Sequence, residues 1–263
     1  MRAYLGQHFM KNRAAIKKIV GGLAVASGDH IIEIGGGAGA LSIPLAAAAA
    51  TAKAKLTVIE RDPELAGTLR GKLLKYFPSA EVLEGDALKI IPTLVWKLEI
   101  GNWKLVGNIP YYLTGKLLRI LSESDAPPVA TVLTIQAEVA DRIVAAAPRM
   151  NLLTATVRAW ANPKILMRLK PADFDPPPEV ASAVVRFERN EHLLPLDERE
   201  RYFKTARILF RQPRKTVWNN LREGSSSGKE MLAEALRKAG IDPALRPQNL
   251  SVQMLINLAT EIG

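Results

Sequence analysis

Asn108-Ile109-Pro110-Tyr111 brings an amide, a carbonyl and an aromatic ring together at one stiff corner. Leu105 and Val106 read as the end of a buried strand that Gly107 terminates. Pro110 fixes its own φ and biases Ile109 away from helical geometry. A flat heterocycle carrying an amine could use every part of this corner. Asn108 and the Ile109 carbonyl would accept from the amine, and Tyr111 would stack on the ring. A proline turn after a strand, with Tyr111 in a core, accounts for the same four residues.

A second constellation lies upstream. Ile31–Ile34 reads as a buried strand running into Gly35-Gly36-Gly37-Ala38-Gly39-Ala40, with a helix expected over 40–50. Glycines at such a junction let backbone approach a ligand, and the helix start offers free N–H groups. The run satisfies G-x-G-x-x-A, and Glu60 ends the next strand, Leu56–Glu60. That combination is compatible with a dinucleotide site, but other nucleoside cofactors use the same corner. A carboxylate at that strand end suits any ribose diol; a solvated charge is the plainer alternative. His8, in Gly6-Gln7-His8-Phe9-Met10, is by itself as compatible with a structural or exposed role.

The elements that must position these groups alternate. A helix is expected over 11–26, with Ile16, Ile19, Val20 and Leu23 on its apolar face. Pro63–Tyr76 reads as a helix with Pro63 in its first turn, and Glu81–Leu83 as a strand closed by Glu84-Gly85-Asp86-Ala87-Leu88. A helix over 115–122, a strand over 131–135 and a helix through Val139, Ile143 and Val144 follow. Two strands, 161–169 and 182–187, close the sheet on either side of Pro171–Pro178. Gly35, Glu60, Asp86 and Asn108 then all fall at the C-terminal strand edge, where an open parallel sheet binds ligands. The expected class is α/β, a Rossmann-like sheet over residues 1–190 with a small all-α domain over 191–263. Asn190–Pro195 is the expected linker, and helices are expected near 196–210, 215–221, 229–239 and 252–262.

Composition narrows the partners. The 263 residues carry a net charge of +10, with a pI near 9.8, and contain no cysteine. Disulfides, thiolate metal sites and cysteine nucleophiles are therefore excluded. Three histidines without H-x-x-x-H spacing give no expectation of a metal. The basic balance points to RNA or DNA, and Arg207, Arg211, Arg214 and Lys215 form a candidate phosphate-contacting edge; a solvated helix face is the alternative. No signal peptide or membrane-spanning run is visible, so a cytoplasmic protein without a membrane partner is expected.

The motifs G-Q-H-F-M, E-I-G-G-G-A-G-A-L, V-I-E-R-D, E-G-D-A-L, G-N-I-P-Y-Y, I-Q-A-E-V-A-D-R-I, F-D-P-P-P-E-V-A-S-A-V-V-R-F and L-F-R-Q-P-R-K-T-V-W-N-N-L occur in one order. Together they resemble the small-subunit ribosomal RNA adenine N6-dimethyltransferase family over nearly the whole chain. The resemblance implies an S-adenosylmethionine-dependent methyltransferase sheet with a helical C-terminal domain. It implies double methylation of N6 on two adjacent adenosines near the 3′ end of small-subunit rRNA. The expected partners are that RNA and the assembling small subunit, with the enzyme a monomer. Cofactor contacts are implied for His8, Met10, Gly35, Gly37, Glu60, Arg61, Asp86, Ala87 and Asn108. Asn108, Ile109, Pro110 and Tyr111 form the implied catalytic corner, Glu33 lies in the active-site region, and Phe174 covers the flipped adenine opposite Tyr111. One departure is Met150-Asn151-Leu152-Leu153-Thr154, where the family commonly carries Tyr-Gly before L-S-V; a second open point is whether Tyr112 shares the stacking role. Methylation of large-subunit rRNA, a non-catalytic assembly factor and an NAD-dependent oxidoreductase are the competing readings.

Overall fold

Strands covered on both faces have no polar side to present, so they read as unbroken apolar runs. The computed structural model describes residues 8–97 and 102–262; Gly6 and Gln7 of the first motif lie outside them. In chain order the elements begin with β1 (Phe9–Met10), α1 (Arg13–Gly22), β2 (His30–Ile34), α2 (Ser42–Ala52), β3 (Lys55–Glu60), α3 (Pro63–Tyr76) and β4 (Ala80–Glu84). Next come α4 (Ala87–Lys97), β5 (Trp103–Asn108), α5 (Thr114–Glu123), β6 (Ala130–Gln136), α6 (Ala137–Val144), α7 (Leu152–Arg158) and β7 (Ala161–Leu169). The last are β8 (Phe174–Asp175), β9 (Ser182–Arg189), α8 (Leu196–Leu209), α9 (Val217–Gly224), α10 (Lys229–Lys238) and α11 (Val252–Ile262).

Seven strands form one sheet in the order β4-β3-β2-β5-β6-β9-β7. The β2–β3, β3–β4, β2–β5 and β5–β6 pairs are parallel, and β9 runs antiparallel to β6. After β4 the chain returns to the other side of β2 to form β5. The strand order therefore reverses between β2 and β5, the place where such sheets open a ligand crevice. The core beside β2 and β3 gathers Ile31, Val58, Leu45, Leu69 and Ile19. Local chemistry sets α3: Asp62 caps it by accepting from the Glu64 and Leu65 N–H groups, and Pro63 opens it.

Several elements depart from expectation. Gly107 does not end β5; it pairs with Ile34 inside the strand, where a Cβ would lie 2.7 Å from the Ile34 carbonyl oxygen. Only glycine admits that approach. Helix α4 has no counterpart among the expected elements, because Pro92 in its middle reads as a breaker. The Pro171–Pro178 connector contains β8, which pairs antiparallel with β1 as a separate two-stranded ribbon. Two-residue strands leave no periodicity to find.

The domain boundary also differs. One compact unit comprises residues 1–140 and 163–189, and the other comprises 141–162 and 190–263. A division at residue 190 alone places 141–162 with the sheet, and the packing does not. Met150, Ala155 and Ala159 join a core with Tyr202, Leu209, Leu236 and Leu258, and the Tyr202 hydroxyl donates to the Ala155 carbonyl at 2.9 Å. The family departure at Met150-Asn151 is thereby a packing feature. Met150 is buried, and Asn151 caps α7 by accepting from the Thr154 N–H at 3.1 Å. Among the described residues no helix is long and apolar enough to cross a membrane.

Candidate active site at the strand ends

A cleft opens at the C-terminal ends of β2, β3 and β5 in the sheet-bearing unit. His8, Met10, Gly35, Gly37, Glu60, Arg61, Asp86, Ala87, Asn108, Ile109, Pro110 and Tyr111 all line it, as the sequence places them. Gly37 has φ +52, and a Cβ there would lie 2.9 Å from the Phe9 ring, so both backbone and space favour glycine.

Glu60 is 4% exposed at the cleft floor. Its Oε2 accepts from the Gly37 N–H and its Oε1 from the Asp62 N–H, each at 2.8 Å. The carboxylate therefore ties the glycine loop to the end of β3. Each oxygen keeps a second lone pair, so a diol can still be held by a group already fixed in orientation. Asp86 uses Oδ1 to accept from the Leu88 N–H at 3.0 Å, capping α4. Arg61 is exposed and Ala87 is buried.

At the corner, the Asn108 Nδ2 donates to the His8 carbonyl at 2.7 Å. A carbonyl only accepts, so this bond fixes which end of the amide is nitrogen. The Oδ1 is thus the remaining acceptor, and Ile109 lines the same cleft. Pro110 holds φ −54, ψ 134, and its carbonyl accepts from the Leu113 N–H at 3.0 Å, closing a 3-10 turn over Tyr111–Leu113. The Tyr111 hydroxyl meets the Ser182 Oγ at 2.7 Å. The His8 ring is stacked against Tyr111, with centroids 6.2 Å apart and planes 25° apart. His8 Nδ1 donates to the Pro176 carbonyl at 2.8 Å. Three chain-distant segments thus hold one corner: the start of the chain, the proline segment and the start of β9.

Three of the expected site residues stand outside the cleft lining or already have a partner. Phe174 is 1% exposed, packs with Met10 and Ile19 in the core, and is not among the residues lining the cleft. Its pairing with Met10 across the β1–β8 ribbon turns it inward. Glu33 is 1% exposed and also lies outside the cleft lining, on the same face of β2 as core residue Ile31. Among the described residues neither of its oxygens has a hydrogen-bond partner of good geometry, and the Ser42 hydroxyl points to the Gly36 carbonyl. Burial pushes this carboxyl up to about 8, with nearby Ser42 opposing the rise and Glu60 adding to it. Lys215 is the third: its ammonium pairs with Glu223 at 2.7 Å, so its charge is partly neutralised. Arg207, Arg211 and Arg214 lie in the helical unit, where all three are exposed. Tyr112 lines the mouth of the cleft and is 62% exposed, against the half-buried, anchored Tyr111.

Sequence reasoning missed Phe9, which roofs Gly37, and Ser182, which anchors Tyr111. Ser182 carries a faint signal as a polar residue opening an apolar strand. Phe9 carries none beyond its neighbours.

A family model described as ribosomal RNA adenine dimethylase matches residues 1–262. A ribosomal RNA small subunit methyltransferase A from Dehalococcoides mccartyi is 35% identical over 253 residues, 96% of this chain and 85% of that protein. The protein of the same description from Latilactobacillus sakei is 34% identical over 264 residues, covering 97% of this chain and 87% of its own length. Among solved structures, a dimethyladenosine transferase from Plasmodium falciparum superposes with a TM-score of 0.79 at 24% identity, over 95% of this chain and 96% of that one. The 23S rRNA methyltransferase ErmE does so at 0.75 and 23%, over 97% and 99%. At those identities the two structures speak to the fold.

Proposed function

The chain belongs to the ribosomal RNA adenine dimethylase family, and from that premise we propose that it methylates N6 of two adjacent adenosines near the 3′ end of small-subunit rRNA, giving N6-dimethyladenosine during subunit assembly. On this reading S-adenosylmethionine is the donor, and the enzyme acts as a cytoplasmic monomer on the assembling small subunit. The observation that carries the proposal is the Asn108 amide, whose nitrogen is committed to the His8 carbonyl and whose oxygen is left to accept from an amine.

The residues present fit the donor. Glu60 offers two oriented oxygens to a ribose diol, Gly37 leaves room where any side chain would strike Phe9, and Asp86 lines the same cleft as a further acceptor. When bound, S-adenosylmethionine supplies an electrophilic methyl group on a sulfonium. Around it, the protein orients and desolvates. The N6 lone pair of adenine is delocalised into the ring, which makes it a poor nucleophile. Acceptance of its hydrogens by Asn108 Oδ1 and the Ile109 carbonyl favours a more tetrahedral nitrogen with a directed lone pair. Tyr111, held by Ser182, offers a face to an unstacked base and offsets part of the cost of flipping it. This is catalysis by positioning, with no covalent enzyme intermediate. The test is methyl transfer to undermethylated small subunits, with the modified nucleotides mapped. Label on two adjacent adenosines near the 3′ end is expected; label confined to large-subunit RNA, or none, overturns the assignment.

A further inference from the structure

Several solvent-facing helices of this protein carry charges of both signs and pair cations with acids on the same helix. Arg201 meets Asp197 on α8 at 2.8 Å, Arg119 meets Glu123 on α5 at 2.8 Å, and Arg237 meets Glu234 on α10 at 2.6 Å. The helix α1 is different. Residues 1–28 contain Arg2, Lys11, Arg13, Lys17 and Lys18 and no aspartate or glutamate. Ala15 and Ile19 face the core, while Lys11, Arg13, Lys17 and Lys18 are exposed. Arg13 and Lys17, four residues apart, share one face of the helix, and Lys18 extends it.

Two acids that adjoin this helix are already committed. Asp29 pairs with Lys104 at 2.7 Å. Asp173 spends its groups on neutral donors: Oδ1 accepts from Asn12 Nδ2 at 2.8 Å, Oδ2 from the Lys170 N–H at 2.7 Å, and its carbonyl from the Lys11 N–H at 2.9 Å. It therefore staples the start of α1 to the segment after β7 without pairing Lys11, Arg13 or exposed Lys170 with a carboxylate. Asn12 caps the same helix by accepting from the Ala15 N–H at 3.1 Å. The start of the helix that carries these cations is consequently anchored, and none of them forms an ion pair among the described residues.

Their position gives the partner. Met10 lines the cleft and Lys11 follows it directly. From Arg13 to Lys18 the helix rises only about 8 Å. A base drawn into the cleft brings its own flanking phosphates to this neighbourhood. We infer that Lys11, Arg13, Lys17 and Lys18 on and before α1, with Lys170 beside them, form a phosphate-binding rail in the catalytic unit that holds the RNA strand flanking the target adenosine. The inference rests on the RNA-methylating reading above.

The test is a salt titration of small-subunit RNA binding by the full chain, comparing the parent with Arg13→Gln/Lys17→Gln/Lys18→Gln. Glutamine propagates a helix about as well as lysine or arginine, so α1 should persist, as circular dichroism checks. Each cation withdrawn from a single-stranded phosphate should flatten the log–log salt slope by about 0.7. The triple variant should therefore have a slope shallower by about 2, with KM for RNA raised and donor affinity unchanged. Arg13→Lys/Lys17→Arg/Lys18→Arg should keep the parental slope. A triple variant with the parental slope and a native fold overturns the rail while leaving the function intact. A parent that binds no RNA overturns both. Loss of binding to anionic phospholipid vesicles with the RNA slope unchanged would assign the rail to a membrane surface and reject the RNA reading.

Discussion

The cleft corner and the basic edge of the helical unit both use polar side chains, but in opposite physical states. At the corner each group is anchored: Asn108 by the His8 carbonyl, Tyr111 by Ser182, Glu60 by two backbone N–H groups. Along the edge Arg211 and Arg214 are exposed on long side chains, and Lys215 is tied to Glu223. Anchored groups lose little entropy when a substrate arrives, so they can discriminate a transition state from a ground state. Exposed cations act through counterion release, which gives affinity without geometry.

The strongest challenge to this contrast is Asn108→Ala. Removing one positioned acceptor should lower the methyl-transfer rate by about 10²–10³-fold, measured in single turnover on small subunits. RNA affinity should barely move, and a fully active variant would end the proposed role of the corner.

Glu60→Ala should weaken S-adenosylmethionine binding by about 1.5–3 kcal/mol by calorimetry, the range for hydrogen bonds to a charged group. Part of that loss is direct and part comes from freeing the glycine loop at Gly37. Unchanged donor affinity in a folded variant removes Glu60 from the site.

Glu33 sharpens the comparison, being fixed yet outside the cleft. Its folded-state pKa of about 8 lies above the ordinary 4.5, so the native state holds a proton that the unfolded chain releases. Its contribution to stability is full below pH 4.5 and is lost as pH rises towards 8. The slope between those limits approaches about 1.4 kcal/mol per pH unit. Glu33→Gln should abolish this component in denaturant titrations spanning that window. Equal pH slopes for the two proteins would mean that the carboxyl is solvated or paired.

Tyr111→Phe keeps the stacking face and removes the Ser182 hydrogen bond, costing about 0.5–1.5 kcal/mol in kcat/KM. Ser182→Ala should cost a similar amount, and the double variant no more than either alone. Additive losses would show that the two hydroxyls act independently.

The smallest effect on turnover belongs to the edge. Arg211→Ala/Arg214→Ala should leave donor affinity and single-turnover rate at saturation unchanged. The salt slope of RNA binding should flatten by about 0.7–0.9 for each arginine that sits on a phosphate, the higher figure for a duplex. An unaltered slope makes the edge a solvated face.

What the sequence determined by itself was whatever local chemistry writes into consecutive residues. Proline geometry at Pro110, the cap and first turn at Asp62-Pro63, the glycine run at Gly35–Gly37 and the largely apolar strands can all be read from their neighbours. Motif order supplied the family, and with it most of the cleft lining. What only the tertiary structure decided were interactions between residues far apart in the chain. The orientation of the Asn108 amide depends on a carbonyl 100 residues away, and the Tyr111 anchor on a serine 71 residues away. Phe174 and Glu33 sit in motifs that imply a site role, yet both are buried outside the cleft lining. The two-residue β1–β8 pairing and the strand alternation around Ile31 decide that. The recruitment of 141–162 into the helical unit has the same origin. Met150, Ala155 and Ala159 are apolar enough for either core, and only the packing partners Tyr202 and Leu209 choose between them.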